Sequence, residues 1–316
     1  MTFEEATEDY IRFKTVSNSF DSIQTKRMML RIVLQFVGGE KPVNKVSHRD
    51  INSWMEHELA QKHSPNYVRR VRDELKFFFH FALVRKFVES NPMANNDLLF
   101  RVAPQKTKRL AFTREQYQIV LDRTAGLDRR YYYHPASIIA WHTGLRAGDV
   151  SNLKWENIDW SDEFIRLSPR KTRKYHPCLE IPIEPELMEL FYRLKEKAED
   201  KKFVLPIMAF DYFSPGSRAR IYKDFSEKIC AGFGKGYSFH SFRHAFVTRM
   251  LEAGVDPCII GSITGQTVQQ VLEYGSITRR AKRNAFAQMR EASHKEKLDR
   301  LGITPPTIRG LAVATL

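Results

Sequence analysis

Apolar positions in the first hundred residues recur every three or four places and do not alternate, so this stretch predicts helices with no convincing strand. The clearest helix opens at Ser64-Pro65, an N-cap followed by proline in the first turn. It carries Val68, Val71, Leu75, Phe78, Phe79 and Ala82 on one face. An earlier helix runs from Phe20 to a stop at Gly38-Gly39, and Asn91-Pro92 closes the helical run. From about Asn95 the text turns polar and basic as far as Leu110, which reads as a linker. Thr113 and Gln116 then supply a capping-box start. Further on, an apolar helix is predicted around Ile138 to Trp141. Phe164 to Leu167 and Leu179 to Ile181 alternate across a basic turn and predict a hairpin, after which helices return. The expected fold is mainly α with a small β-sheet (α+β): a helical domain over 1–100, a linker over 101–110 and a mixed domain over 111–316.

Composition narrows the class. The 316 residues are 42% hydrophobic and 28% charged, which fits a globular protein large enough for two cores. Cys178, Cys230 and Cys258 are odd in number and lack CxxC spacing, so neither a disulfide framework nor a zinc site is expected, and a reducing, cytoplasmic compartment fits. No basic leader or long apolar span marks a membrane protein. The formal net charge of +14 points instead to a polyphosphate partner, with double-stranded DNA foremost. Arg69, Arg72 and Lys76 line one helix face, Lys106, Lys108 and Arg109 crowd the linker, and Arg173 and Lys174 sit at the hairpin tip. A solvated surface and a phosphate-facing stripe both account for such residues.

Four separated segments carry groups suited to phosphoryl transfer. Thr143-Gly144-Leu145-Arg146-Ala147-Gly148-Asp149-Val150 places an arginine at a glycine-marked turn into a helix, where a guanidinium can grip a phosphate bidentately. Lys171 lies in the hairpin turn. His240-Ser241-Phe242-Arg243-His244 opens a helix that stops at Gly254, with His240 and Arg243 three residues apart on one face. Tyr274 follows Thr264-Gly265-Gln266 and a short helical stretch. Each segment taken singly has an ordinary structural explanation.

Their order and flanking residues, "TGLRAGDVSNLKWENID", a hairpin "KT", "HSFRHAF" and a downstream "Y", closely resemble the tyrosine recombinase, or phage-integrase, family. "SPNYVRRVRDELKFFFHFALVRKFVESNP" is similar to the last helices of that family's core-binding domain. The resemblance implies a Xer-like two-domain architecture without an arm-binding domain. It implies Arg146, Lys171, His240 and Arg243 as catalytic residues, Asp149 as an acidic brace, and Tyr274 as the nucleophile of a site-specific recombinase working through a 3′-phosphotyrosyl intermediate. Four protomers on two duplexes are implied, with accessory proteins admitted and no cofactor or metal needed. Arg146 and Arg243 would clamp the nonbridging oxygens, Lys171 would protonate the leaving 5′ oxygen, and His240 would bond the phosphate or assist proton transfer. Gln266 departs from the histidine or tryptophan common after that glycine, though its amide still donates a hydrogen bond. A catalytically impaired DNA-binding accessory protein of the same fold, or a type IB topoisomerase or resolvase-like strand transferase, remains the alternative. The tail with Arg279, Arg280, Lys282, Arg283, Phe286 and Met289 could seat on a neighbouring protomer or on its own domain.

Overall fold

The computed structural model describes residues 1–105, 110–126, 132–214, 216–274, 286–287 and 289–290. Lys106, Lys108, Arg109, Arg279, Arg280, Lys282 and Arg283 lie outside the described residues, whereas Phe286 and Met289 are exposed. The chain divides into two compact units, Met1–Thr107 and Lys108–Leu316.

The first unit packs α1 (Phe3–Thr15), α2 (Phe20–Val37), α3 (His48–Ala60) and α4 (Pro65–Val84) around one core. Local chemistry sets the helix starts. The Thr2 and Ser47 hydroxyls accept the N–H groups of Glu5 and Asp50, and those carboxylates reach back to the cap N–H in reciprocal capping boxes. Ser64 caps α4, with Pro65 in its first turn. The α4 stripe of Val68, Val71, Leu75, Phe78, Phe79 and Ala82 is fully buried, and the Phe78 and Phe79 rings meet Phe3 of α1. Glu74 shares this face and is only 7% exposed. It is tolerated there because Tyr10 Oη donates to it at 2.7 Å and Lys26 Nζ at 2.6 Å, so no lone charge is left in the core. Residues 98–105 are strapped to the same unit by side-chain amides. Asn52 bonds Leu98 O and Phe100 N, and Asn66 bonds the carbonyl and N–H of Gln105.

The second unit wraps helices about a small sheet. In chain order come α5 (Arg114–Ala125), α6 (Tyr133–Thr143), α7 (Ala147–Ser151), β1 (Ile158–Asp159), β2 (Phe164–Leu167), β3 (Leu179–Pro182), α8 (Pro185–Glu196), α9 (Pro206–Phe213), α10 (Ser217–Asp224), α11 (His240–Ala253), α12 (Pro257–Thr264) and α13 (Val268–Leu272). The sheet is antiparallel in the order β1-β2-β3, with Ile165 opposite Ile181 and Leu167 opposite Leu179. Those four side chains are buried on one face. On the other, Arg166 binds Asp159, Asp162 and Glu180. The hairpin thus forms where alternation predicts it, and β1 adds a short edge strand that two residues could not signal. A mainly helical unit with one small sheet follows, as the sequence pattern indicates.

Helices α6 and α11 form the central pair. Phe242 of α11 packs among Phe112, Phe225 and Phe239 at ring separations of 4.9, 5.7 and 5.2 Å, which fixes the helix's rotation and aims its first turns at the site described below. Among the described residues no helix is long and apolar enough to cross a membrane.

The Glu74 network gives the first unit a pH signature. Burial, and then the hydrogen bond and charge of Glu74, push the Tyr10 phenol far above its usual range. The folded chain keeps this proton where the unfolded chain releases it. The stabilisation is therefore fully present below about pH 10 and is lost as pH rises further. Thermal unfolding of the wild type is expected to steepen its pH dependence above about pH 10 relative to Tyr10→Phe. Parallel curves for the two proteins would remove Tyr10 as the source.

Candidate active site

The site is built on tight turns that end helices. Helix α6 stops at Gly144 in the left-handed conformation, φ 65°, and its N–H bonds Ala140 O at 3.0 Å. Glycine is required twice over here, because a Cβ would also lie 2.6 Å from the Phe246 ring. The chain turns at once into α7, with Arg146 at its N-cap. Helix α12 ends in the same way at Gly265, φ 65°, and leads through Gln266 to α13 and Tyr274.

Arg243 joins these two turns. Its side chain is 1% exposed; Nη1 donates to Gly144 O at 3.0 Å and Nη2 to Thr264 O at 2.7 Å. Burial, and then the neighbouring Arg146 guanidinium, push its pKa down to about 10, while contact with the Tyr274 phenol and the charge of Asp149 work the other way. It therefore stays a cation at neutral pH, held in a place that resists charge. Among the described residues, its Nε and the Nη1 of Arg146 are buried without a hydrogen-bond partner, two donors that an incoming anion could satisfy.

Asp149 ties a third element in. It is 5% exposed, sits 4.0 Å from Arg146 Nη1, and accepts the backbone N–H of Arg170 at 3.0 Å. One carboxylate therefore braces both the arginine turn and the root of the basic hairpin loop. The Arg170 side chain lies over Phe213 at 4.5 Å. A cavity of about 430 Å³ opens between these elements, lined by Arg146, Asp149, Lys171, Tyr212, Tyr222 and His240. Arg173 and Lys174 stand exposed farther along the loop.

Arg146, Asp149, Lys171 and His240 thus share one cavity, and Arg243 connects that cavity's arginine turn to the turn that leads to Tyr274. Gln266 is 5% exposed beside the Gly265 turn, with its Oε1 buried and unpartnered. In the other unit Arg69, Arg72 and Lys76 are half-buried along α4, and Arg72 is engaged by the neighbouring Asp73 at 2.9 Å.

Four participants escape a reading from sequence. Thr172 puts a buried Oγ1 3.1 Å from where a Cβ on Gly265 would sit, linking the hairpin to the tyrosine side. Tyr212 and Tyr222 wall the cavity from helices that carry no motif. His244 packs its ring, tilted by 39°, against Tyr274; its position four residues after His240 was the available signal.

The Phage integrase family profile matches residues 112–274. The chain is 22% identical over 284 residues to the ICEBs1 integrase of Bacillus subtilis (strain 168), covering 82% of this chain and 71% of that protein. It is 26% identical over 227 residues to the tyrosine recombinase XerC of Anoxybacillus flavithermus (strain DSM 21510 / WK1), covering 68% and 72%. Its fold is similar to that of the Tn1549 transposon integrase solved in complex with a circular intermediate DNA, with a TM-score of 0.70 at 21% identity over 92% of this chain and 99% of that one. It is also similar to the lambda integrase tetramer bound to a Holliday junction, with a TM-score of 0.69 at 15% identity over 88% and 80%. With a profile that spans from the start of the second unit to Tyr274, more than half of its length, this chain belongs to the phage integrase family, the tyrosine-type site-specific recombinases.

Proposed function

We propose that the protein cleaves and rejoins DNA strands at specific sites through a 3′-phosphotyrosyl bond to Tyr274. The observation that carries this reading is the reach of one buried cation. Arg243 bonds both Gly144 O, in the turn that presents Arg146, and Thr264 O, in the turn that leads to Tyr274. A scissile phosphate seated between them would receive the unpartnered Arg146 Nη1 and Arg243 Nε on its nonbridging oxygens. Tyr274 Oη attacks phosphorus, the bond to O5′ breaks, and Lys171 supplies the proton for the leaving oxygen. His240 bonds the phosphate or takes the phenolic proton. Asp149 positions the arginine turn and the lysine loop together. The phosphotyrosine keeps the energy of the broken phosphodiester, so another strand's 5′-hydroxyl can reverse the step.

Exposed Arg173 and Lys174, and Arg69 and Lys76 on α4, are read as backbone-phosphate contacts. Lys106, Lys108 and Arg109 are proposed as such on charge alone. The tetramer seen for lambda integrase on a Holliday junction supports a tetramer on two duplexes here. Free Cys178, Cys230 and Cys258 are in keeping with a reducing cytoplasm. A second reading, a DNA-binding relative with impaired chemistry, has one observation in its favour: Gln266 places an uncharged amide, with its oxygen unpartnered, in the tyrosine turn.

Incubation with a nicked suicide DNA substrate, followed by a denaturing gel, separates the readings. A covalent adduct is expected in the wild type and not in Tyr274→Phe; DNA binding without any adduct would establish the impaired protein instead. Arg146→Ala is expected to slow cleavage about 10²–10³-fold at nearly unchanged stability. Arg243→Ala should match that loss and also lower the melting temperature, because it strips Gly144 O and Thr264 O of their donor. Equal melting temperatures in the two variants would contradict the bracing role. Asp149→Ala is expected to free the hairpin root, read as faster tryptic cleavage within Arg170–Lys174; unchanged proteolysis would place the loop's restraint elsewhere.

A further inference from the structure

Tyr274 follows the C-cap of a short helix and sits against a small apolar cluster formed by Phe246, Val247, Leu251, Ile260 and Val271. It is half-buried, and among the described residues its backbone bond is that of its N–H to Val271 O at 3.1 Å. An attacking oxygen must nevertheless be aimed along one line at phosphorus, and a loosely held phenol would spend little time on that line. Something other than the backbone has to fix the ring.

The imidazole of His244 lies against the Tyr274 ring with centroids 4.3 Å apart and planes 39° apart. The edge of His240, one helical turn earlier, meets His244 at 5.1 Å and 79°. Three rings thus run in series from the cavity to the tyrosine. Their base is rigid: between the two histidines α11 carries Phe242 and Arg243, both fully buried, the first in the aromatic core and the second on two carbonyls. His244 therefore has little freedom to follow the tyrosine, and the tyrosine must conform to it.

We propose that His244 is a positioning residue that sets the orientation of the Tyr274 ring by stacking, with His240 fixing the His244 plane in turn. This rests on the reading of Tyr274 as nucleophile. A planar ring at 244 is what the role demands. Loss of one such ring pair is expected to slow attack roughly 3- to 10-fold.

Single-turnover cleavage of the suicide substrate, DNA affinity and melting temperature would be measured for the full chain carrying His244→Ala or His244→Phe. Cleavage by His244→Ala is expected to fall by that factor with affinity and melting temperature held, and His244→Phe should recover to within about twofold of wild type, since it restores the ring pair without any titratable group. In parallel, 3-fluorotyrosine incorporated in place of Tyr274 reports the stack by 19F NMR with no need for activity. Its ring-current shift should vanish in His244→Ala and persist in His244→Phe. A shift indifferent to His244→Ala overturns the proposal, as does a His244→Phe protein that cleaves as slowly as His244→Ala. If the shift responds as expected but the wild type forms no adduct, the stack stands and the assignment of Tyr274 as nucleophile fails.

Discussion

The second unit is organised around a buried guanidinium held by two backbone carbonyls. Arg243 sits 1% exposed, and what keeps it there is two carbonyls freed by helix ends. A helix terminus leaves backbone oxygens without intrahelical partners. Here Gly144 O, in the turn after α6, and Thr264 O, at the end of α12, find their donor in one side chain. The same cation thereby fixes the distance between the turn that presents Arg146 and the turn that leads to Tyr274. Its remaining charge is imperfectly compensated, as its lowered pKa of about 10 records, and an anion between Arg243 and Arg146 would relieve that.

Several contacts keep that clamp from shifting. Phe242 roots α11 among aromatic rings, so the residue beside it cannot rotate away. Asp149 extends the connection to the hairpin through the Arg170 N–H, and Thr172 closes the circuit against Gly265. On the proposed function, recognition and chemistry share a frame: the basic loop is tied, through one carboxylate, to the turn that presents Arg146. Preorganised charge acts most strongly when it does not have to move as the reaction proceeds.

Much of this was legible before any coordinates. Helix starts at Ser64-Pro65 and Thr113, stops at Gly38 and Gly254, and the alternation of Phe164 to Leu167 against Leu179 to Ile181 are local signals, and local physics decides them. The gathering of Arg146, Lys171 and His240 around one cavity could be anticipated only through the family resemblance, because nothing local brings residues so far apart in sequence together. What stayed hidden was nonlocal and motif-free. The Asn52 and Asn66 amides that strap residues 98–105 look like ordinary surface polars, the tyrosines walling the cavity lie in unmarked helices, and the stack of His244 on Tyr274 depends on how α11 and α13 meet. That Arg243 would spend two of its donors on the protein's own backbone was equally invisible, since sequence shows a charge and not its partner.

Gly144 carries a consequence of a different kind. A methyl group there would press within 2.6 Å of Phe246, which belongs to the small cluster supporting Tyr274. The arginine turn and the tyrosine's footing are thus in steric register through a single hydrogen atom. In evolutionary terms the two positions form one character: drift at 144 is barred unless 246 shrinks in the same lineage, and the left-handed turn penalises even that exchange. Intragenic suppressor searches begun at one end of this site should therefore find their answers at the other.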